Sequence, residues 1–490
     1  MTPENAVILA LNHLNRGRLS EAGSLCAQVL AQDPNNVDAL QLQSLVEAGS
    51  DRLDSAIALI NRAISIKPLA ADYFVNLGEF QRRLGKLDAA QASIERAITL
   101  QPDHAAAHYN LGIVLEDQSK NDEAMAQFHR AVALDKNLAE AHLRIGNEFR
   151  RLRRFDDSMK AFERAIAARP RFPESHWNYS LLLLQYGDLK RGWAEYEWRR
   201  RIASLCPPRN FPQPQWMGQP LSGQRVFLHI EQAFGDMIQF ARFAPLVADR
   251  GGRVLLQSPP ELAGLFAGLR GIEQIVPIKE SIPPFDLHCP LLSLGQIFCP
   301  DLHHIPKDIP YLNPEPALVE RWKIKMEPYD RKLKAGLAWS GRRMIADGGI
   351  RSIPTSLLAP LAGVDDVVFF CVQPHDPDAE APPELPLVDW RADLRDFAQT
   401  AALMANLDLV ISIDTAAAHL AGALGRPVWN LLLHYADWRW LLDRQDSPWY
   451  PTMRLFRQPK EGDWETVIHQ VTGELKNEVP RRDIQGLTGK

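Results

Sequence analysis

The chain has 490 residues, of which 46% are apolar and 23% charged, and its formal net charge is −5. This length exceeds one ordinary hydrophobic core, so we expect two or more domains. The slightly acidic balance gives no reason to expect nucleic acid as a partner. No stretch approaches the ~20 consecutive apolar residues that a membrane span needs.

The cysteines and the N-terminus bear on the compartment. The five cysteines are scattered without metal-ligand spacing: Cys26, Cys206, Cys289, Cys299 and Cys371. Their odd number suits a reducing compartment. The first residues, "MTPENAVILALNHLNRG", lack the basic start and long apolar run of a signal peptide. These features predict a cytoplasmic protein.

A period of 34 residues organises the first half of the chain. Four columns share it: prolines at 34, 68, 102 and 170, alanines at 22, 56, 90 and 124, alanines at 63, 97, 131 and 165, and glycines at 78, 112 and 146. The pattern resembles the tetratricopeptide repeat, a helix-turn-helix unit in which small residues let two helices touch and a proline ends the second. Five units cover about residues 3–172, and a degenerate sixth extends the predicted array to 3–203.

Such arrays curve and expose a concave groove that usually binds peptides or proteins. We therefore expect a protein partner, with a rigid spacer or a dimerisation arm as the alternative. The aromatic-rich sixth unit, "ESHWNYSLLLLQYGDLKRGWAEYEWRRR", is expected to dock against the next domain.

A proline-rich stretch, 204–222, breaks the register and predicts a linker. Beyond it, short apolar runs alternate with helical stretches, which favours parallel sheets with crossover helices. The predicted strands are 225–230, 253–258, 272–278, 333–340, 366–373 and 407–413, with a helix over about 236–249. The pattern restarts once and predicts two Rossmann-like halves, 223–325 and 326–476, followed by a polar tail, 477–490. Ligands of such sheets bind beyond the carboxyl ends of the strands.

The first strand is followed by "EQAFGDMIQFARF". Gly235 permits a tight strand-to-helix turn, and Asp236 begins the predicted helix. Asp is a favoured N-cap, which stabilises a helix by ~1 kcal/mol. A carboxylate at this end of the strand is also where a general base would lie, so both interpretations stay open.

The strand "LKAGLAWS" leads into "GRRMIADGGIRSIP", a loop rich in glycine and arginine. Arg342, Arg343 and Arg351 gather positive charge where guanidinium groups can bind a diphosphate bidentately. A solvated loop is the alternative. The candidates for diphosphate contact are Ser340, Gly341, Arg351 and Ser352.

A third strand runs into "IDTAAAHLAGALGRPVW". A helix N-terminus carries roughly half a positive charge and unpaired amides, which together bind anions. Asp414 or Thr415 could simply cap this helix. The small side chains at Ala416, Ala417 and Ala418 would let a phosphate approach the backbone. His419 lies one turn on, on the same side as Thr415.

This segment resembles the carboxyl-half motif of bacterial lipopolysaccharide heptosyltransferases, of the form DTGxxHLAAALGxPV, and "EQAFGDMIQFARF" resembles their amino-half motif. With repeats in front and "DWRWLLDRQDSPWYPTMRLFRQ" behind, the chain is similar to bacterial tetratricopeptide-repeat glycosyltransferases and, in architecture, to O-linked N-acetylglucosamine transferases. The resemblance implies an all-α repeat solenoid followed by an α/β GT-B pair of Rossmann-like halves.

The resemblance also implies roles for individual residues. Asp236 would be the catalytic base, and Gly235 would lie beside the sugar donor. The donor diphosphate would be bound by Ser340, Gly341, Arg351, Ser352, Asp414, Thr415, Ala416, Ala417 and His419. Ala416 departs from the family because glycine usually stands there, so a backbone angle available only to glycine would be lost.

The resulting hypothesis is a metal-independent transferase that moves a sugar from a nucleotide-sugar to a hydroxyl of a protein bound by the repeats, with no cofactor. Flagellin is a conceivable acceptor by analogy. The loop "HDPDAE" contains an Asp-x-Asp at Asp376 and Asp378, which we attribute to chance. One alternative is a non-enzymatic interaction protein, and another is a transferase for glycan or lipid. Sequence leaves the sugar, the nucleotide base, the acceptor and the oligomeric state open.

Overall fold

A computed structural model describes residues 1–341, 351–373 and 381–488, with side chains described as far as residue 479. The chain forms two compact units, Met1–Ser175 and His176–Lys490. Among the described residues, no helix combines the length and the apolarity needed to cross a bilayer.

The first unit contains ten helices in five antiparallel pairs, which confirms the predicted repeat solenoid. They are α1 Pro3–Asn15, α2 Leu19–Gln32, α3 Val37–Gly49, α4 Leu53–Ile66, α5 Ala71–Arg83, α6 Leu87–Leu100, α7 Ala105–Asp117, α8 Asn121–Leu134, α9 Ala139–Arg151 and α10 Phe155–Ala168.

The periodic residues explain how the helices of a pair pack. A Cβ atom on Gly112 would overlap the ring of Phe128, and one on Gly146 would overlap Phe162. Both phenylalanines are fully buried. Glycine is therefore required where the first helix of a pair meets the large residue of the second, and a proline two residues past most second helices prevents their continuation.

The second unit begins within α11 and contains two sheets in which every strand pair is parallel. Its helices are α11 Pro173–Tyr186, α12 Leu189–Tyr196, α13 Phe234–Ala241, α14 Ala244–Asp249, α15 Pro260–Phe266, α16 Leu294–Phe298, α17 Pro316–Met326, α18 Phe397–Met404, α19 Ala416–Ala423 and α20 Trp464–Thr488. The prediction of a parallel α/β region is confirmed, and α20 extends to Thr488, within the range assigned to the polar tail.

The smaller sheet has the order β3-β2-β1-β4, with β1 Arg225–His229, β2 Arg253–Ser258, β3 Ile272–Pro277 and β4 Leu287–Pro290. Phe211, from the proline-rich stretch, packs edge-on against Phe227 and covers one face of this sheet. The order reverses between β1 and β4, and such a switch point opens a crevice at the carboxyl ends of the strands.

The larger sheet has the order β10-β9-β8-β5-β6-β7. Its strands are β5 Leu333–Ala338, β6 Val367–Cys371, β7 Leu387–Val388, β8 Leu409–Ile413, β9 Val428–Leu432 and β10 Met453–Arg457. This is the doubly wound order of a Rossmann fold, and its switch point lies between β5 and β8. Sequence analysis missed β4, β7, β9 and β10.

The sixth repeat forms its helix pair, α11 and α12, but α12 belongs to the core of the second unit. Trp193 is 1% exposed; its indole N–H donates to the carbonyl of Cys299 at 2.8 Å, and its ring packs against Phe240 and Trp438. These contacts explain why the repeat is degenerate, since its aromatic residues fill an α/β core rather than a neighbouring repeat.

The prediction of one helix over 236–249 was wrong. The structure has two, α13 and α14, and the first begins two residues earlier than predicted. Pro245 lies in the first turn of α14. Proline lacks a backbone N–H, which costs nothing in the first turn of a helix but would break the interior of one continuous helix over 236–249.

Candidate active site

The switch point of the larger sheet brings together the two loops that sequence analysis selected there. β5 and β8 are hydrogen-bonded neighbours, so their following residues lie side by side. The N–H of Gly341 donates to Ser352 Oγ at 3.2 Å, and a Cβ on Gly341 would lie 3.5 Å from Thr415 Cγ2. Ser340, Gly341, Ser352 and Thr415 therefore form one continuous surface.

Helix α19 begins at this surface with free amides. Its N-cap is Thr415, whose side chain makes no capping hydrogen bond. The first amides of the helix, at Ala416 and Ala417, are therefore left for another acceptor. Ala416 is not among the residues with positive φ. Ala416 therefore does not need the left-handed backbone conformation that only glycine adopts easily, and the departure from the family motif creates no backbone strain here.

Asp236 lies at the opposite side of the site, on α13. It is the third helical residue and not the N-cap, which is Ala233. Asp236 Oδ2 accepts the N–H of Ala233 at 3.1 Å. The predicted helix start at Asp236 was therefore wrong by two residues, although the carboxylate does satisfy one amide at the helix terminus.

The two halves of the unit meet where Gly235 faces α19. A Cβ on Gly235 would lie 2.9 Å from Cδ2 of His419 and 3.5 Å from its Nε2. Such a contact is too close for a real Cβ atom, so glycine permits this approach. Gly235, Asp236 and His419 consequently occupy one site between the two sheets.

Arg439, in the 3₁₀ helix Trp438–Trp440, links the two halves. Its guanidinium donates to Asp236 Oδ1, to Oε1 of Gln239, and to Asp437 Oδ1 at 2.8 Å. The guanidinium carbon of Arg439 lies 4.4 Å from the centre of the Trp438 ring. Only 9% of its side chain is exposed, so these pairs are shielded from water and stronger than surface ion pairs.

The carboxylates of the site have different electrostatic environments. Burial raises the pKa of Asp236; Arg439 opposes this rise, and the charge of Asp437 adds to it. Burial and Asp437 raise the pKa of Asp414 to about 6, although Arg351 opposes them. Burial acts in the same direction on Asp437, but the charge and hydrogen bonds of Arg439 outweigh it and lower the pKa of that carboxyl.

His419 is buried and neutral. Burial, with the nearby charge of Arg439, lowers its pKa to about 3. Its Nδ1 lies 2.9 Å from the hydroxyl of Tyr450, which leaves Nε2 on the side of Gly235. Arg242 stacks over the Tyr450 ring at 4.7 Å. His419 is thus held rigidly by a phenol that sequence analysis did not consider.

Contacts and charge interactions place the described candidate residues close to one another: Gly235 lies against Ala416 and His419, Gly341 against Ser352 and Thr415, and the charge of Arg351 acts on Asp414. Arg342 and Arg343 lie outside the described residues, as do Asp376 and Asp378. Sequence analysis missed five residues that contact the candidate residues or one another at this place: Gln239, Asp437, Arg439, Trp440 and Tyr450. For Asp437, Arg439 and Trp440 the signal was present in "DWRW", where charged residues alternate with tryptophans in a segment that had no assigned role.

Comparisons with known families define the class of protein. Residues 9–71, 75–139 and 143–197 match the tetratricopeptide repeat family, and residues 367–432 match glycosyltransferase family 9 (heptosyltransferase). The second match runs from β6 to β9 and includes Asp414 and His419. The chain thus combines tetratricopeptide repeats with a glycosyltransferase-like α/β region.

Individual proteins are similar to parts of this chain. Protein FlbA of Caulobacter vibrioides is 30% identical over 324 residues, which are 61% of this chain and 54% of that protein. The chain spans about half the length of this curated relative. Among solved structures, a thermophilic repeat protein of Thermus thermophilus is 20% identical with a TM-score of 0.35, over 37% of this chain and 100% of that one. PilF of Pseudomonas aeruginosa is 18% identical with a TM-score of 0.35, over 42% of this chain and 93% of the PilF chain.

Proposed function

We propose that this chain is a GT-B glycosyltransferase that transfers a sugar from a nucleotide-sugar to an acceptor hydroxyl without a metal ion. The observation that carries the proposal is the convergence of Asp236, His419 and the uncapped start of α19 at the switch point of two parallel sheets. Part of this arrangement lies in the segment that matches glycosyltransferase family 9.

The sugar-donor diphosphate is assigned to the start of α19. The free amides of Ala416 and Ala417 and the helix dipole favour an anion there. Arg351 contributes positive charge at the same place. Its charge acts to lower the pKa of Asp437, and at Asp414 it opposes the rise that burial and Asp437 cause. His419, in the first turn of the helix, has its Nε2 on the side of Gly235, 3.5 Å from where a Cβ on that glycine would stand.

Asp236 is assigned as the general base. Each of its oxygens accepts one hydrogen bond, from Arg439 and from Ala233, and each keeps a further lone pair. In the reaction, the acceptor oxygen bonds to the anomeric carbon while the bond from that carbon to the diphosphate oxygen breaks. The hydroxyl proton passes to Asp236, and the electron pair leaves with the diphosphate. A positioned base contributes roughly 10²- to 10⁴-fold to the rate.

Charge on the leaving diphosphate would be stabilised by Arg351 and by the start of α19, which is usually the larger contribution to the rate. Arg439 is a positioning residue in this account because its guanidinium is already bound to Asp236 and Asp437. Transfer should therefore survive EDTA. Complete loss with EDTA, restored by Mg²⁺ or Mn²⁺, would contradict the metal-independent mechanism.

The acceptor is proposed to be a protein bound by the repeats, as expected of a curved helical array. The competing function is a non-enzymatic interaction protein whose α/β region has lost activity. The presence of Gly235, Asp236, Arg351 and the Asp414–His419 segment together favours the enzyme. The five buried free thiols support a reducing compartment.

A thermal-shift panel of UDP-, GDP-, ADP- and CMP-linked sugars tests the proposal. A ligand at 100 times its Kd adds about 2.7 kcal/mol to the stability of the unit that binds it. One nucleotide-sugar should raise the Tm of the second unit, and His419→Ala should abolish that rise. If no nucleotide-sugar stabilises the protein, the interaction-protein alternative is favoured.

A further inference from the structure

The segment that leads from β1 to the proposed base contains a buried carboxylate. β1 ends at His229 and α13 begins at Phe234, with Asp236 as its third residue. Glu231 lies between them, and only 1% of its side chain is exposed. A buried charge is costly unless it is paired and hydrogen-bonded. The partners of Glu231 therefore determine where this segment, the β1–α13 loop of residues 230–233, can lie.

Arg199 supplies the counter-charge. It belongs to the 3₁₀ helix Glu197–Arg201 that follows α12, and its side chain is fully buried. Its guanidinium donates to Glu231 Oε2 and to Glu197 Oε1, both at 2.8 Å, and to Ser293 Oγ at 2.9 Å. Ion pairs that are shielded from water in this way are stronger than surface pairs. Arg199 is fixed by two further partners, so it holds Glu231 in one position.

The proline-rich stretch adds two contacts to the same loop. Cys206 Sγ donates to Glu231 Oε1 at 3.0 Å, so both carboxylate oxygens of Glu231 have a donor. Arg209 donates to the backbone carbonyl of Ile230 at 3.1 Å. The side chains of Arg199, Cys206 and Arg209 therefore hold the β1–α13 loop from a part of the sequence that precedes the sheet.

The loop is joined to the proposed base at its other end. The N–H of Ala233 donates to Asp236 Oδ2 at 3.1 Å, and only Gln232 separates Ala233 from Glu231. The charge of Glu231 also acts on Asp236, where it adds to the rise in pKa that burial causes. A displacement of Glu231 would therefore reach Asp236 through the backbone and through the electric field.

We infer that Glu231 is a positioning residue for the proposed transfer: Arg199 and Cys206 hold it, and it fixes the start of α13 and with it the place of Asp236. The inference rests on the proposed function, because it takes Asp236 as the base. It differs from a purely stabilising ion pair in its consequence, since a displacement of about 1 Å in a catalytic group can cost about 100-fold in rate. Loss of a stabilising pair alone would lower the Tm and leave the rate per folded molecule unchanged.

Two substitutions at Glu231 test the inference. Glu231→Ala removes both hydrogen bonds, whereas Glu231→Gln keeps the shape of the side chain and can still accept one of them. Arg199 retains Glu197 in both variants, so no buried charge loses its only partner. Single-turnover release of the nucleotide diphosphate should fall about 10-fold in Glu231→Ala and less in Glu231→Gln. Affinity for the sugar donor should stay within about twofold of the wild type, because the donor diphosphate is assigned to the other half of the unit.

Glu273→Gln is the matched control. Glu273 lies on β3 at the edge of the same sheet, and its carboxylate is bound by Arg225 at 2.8 Å and by Arg253 at 2.7 Å. Arg225 is the first residue of β1, at the opposite end of that strand from the loop. The same change of carboxylate to amide therefore removes charge-assisted pairs from this half without touching the β1–α13 loop. The rate and the donor affinity of this variant should equal those of the wild type.

Hydrogen exchange of the backbone amides, read by mass spectrometry, supplies a measurement that needs neither sugar donor nor acceptor. Exchange over residues 231–240 should become faster in Glu231→Ala and less so in Glu231→Gln, and it should stay unchanged in Glu273→Gln. Exchange over α17, which belongs to another part of the unit, should stay unchanged in all three variants.

Three results would overturn the inference: wild-type exchange over residues 231–240 in Glu231→Ala, equal acceleration of exchange in α13 and α17, or a wild-type rate of diphosphate release in Glu231→Ala. A wild-type protein that releases no diphosphate contradicts the proposed function instead. Hydrogen exchange then still decides whether Glu231 fixes the start of α13.

Discussion

The guanidinium of Arg439 donates a hydrogen bond to Asp236 Oδ1, although the two residues are 203 positions apart in the sequence. The two side chains come from different halves of the α/β unit. The same guanidinium binds Asp437 at 2.8 Å. A single arginine thus connects the proposed base to the half of the unit that carries the proposed diphosphate site. Its position implies a role in orienting the base rather than in contacting the substrate.

Arg439→Met should lower the free energy of unfolding by about 2 kcal/mol or more, because it leaves two poorly solvated carboxylates without their partner. The double variant Asp236→Asn with Arg439→Met should recover part of this loss. Denaturant unfolding of both variants measures the effect.

The same substitution should also shift the pH profile. Arg439 lowers the pKa of Asp236 against the effect of burial, so its removal should raise that pKa further. The acidic limb of the pH–rate profile, where the base loses its charge, should then move to higher pH. A limb that stays in place would contradict the positioning role of Arg439.

Asp414→Asn should stabilise the protein in a pH-dependent way. The pKa of Asp414 is raised to about 6 in the fold, above an unfolded value near 3.9. The stabilising contribution of the protonated form is therefore present below pH ~4 and is lost as the pH rises through about 6. The variant should have a higher Tm than the wild type at pH 8 and the same Tm near pH 4. The exposed Asp365 provides a control, since Asp365→Asn should change neither value. A gain that is equal at every pH would contradict this assignment.

Tyr450→Phe should weaken binding of the sugar donor with little effect on the rate at saturation. The substitution removes the hydroxyl 2.9 Å from His419 Nδ1 and leaves a buried polar atom unpaired, which costs about 1–3 kcal/mol of stability. His419→Ala should weaken binding more, because it removes the residue assigned to the diphosphate. The measurement is a titration of each variant with the nucleotide-sugar. Equal affinity of wild type and both variants would remove His419 from the site.

The strongly periodic part of the fold was predictable because each repeat depends on residues close in sequence. Gly112 and Phe128, for example, are one helix apart and recur with the period. The start of α19 was also predictable, since Thr415 and the alanines after it carry a local signal. The role of Arg439 could not be predicted from the sequence, because it depends on which strands are neighbours in the sheets. Only the order β8-β5 and the packing of α13 on α19 bring it to Asp236.

Two truncations should separate the repeats from the α/β unit. Residues 173–490 should fold and bind the sugar donor, because the second unit has its own core and α11 remains whole. Residues 204–490 lack Trp193, which is buried against Phe240 and Trp438. Loss of a buried tryptophan costs about 3–5 kcal/mol, so this fragment should melt much lower or fail to fold. Equal melting temperatures for the two fragments would contradict the assignment of α12 to the α/β core.

The catalytic role of Asp236 is the central claim, and Asp236→Asn tests it most directly. Asparagine keeps the size of the side chain and can accept either the N–H of Ala233 or the guanidinium of Arg439, though not both, and it cannot take a proton. With the nucleotide-sugar that stabilises the protein, single-turnover release of the nucleotide diphosphate should fall by about 100-fold or more. Affinity for the sugar donor should stay within about twofold of the wild type, as expected when a change acts on the chemical step alone. Release at the wild-type rate by Asp236→Asn would contradict the claim and return Asp236 to a structural role at the start of α13.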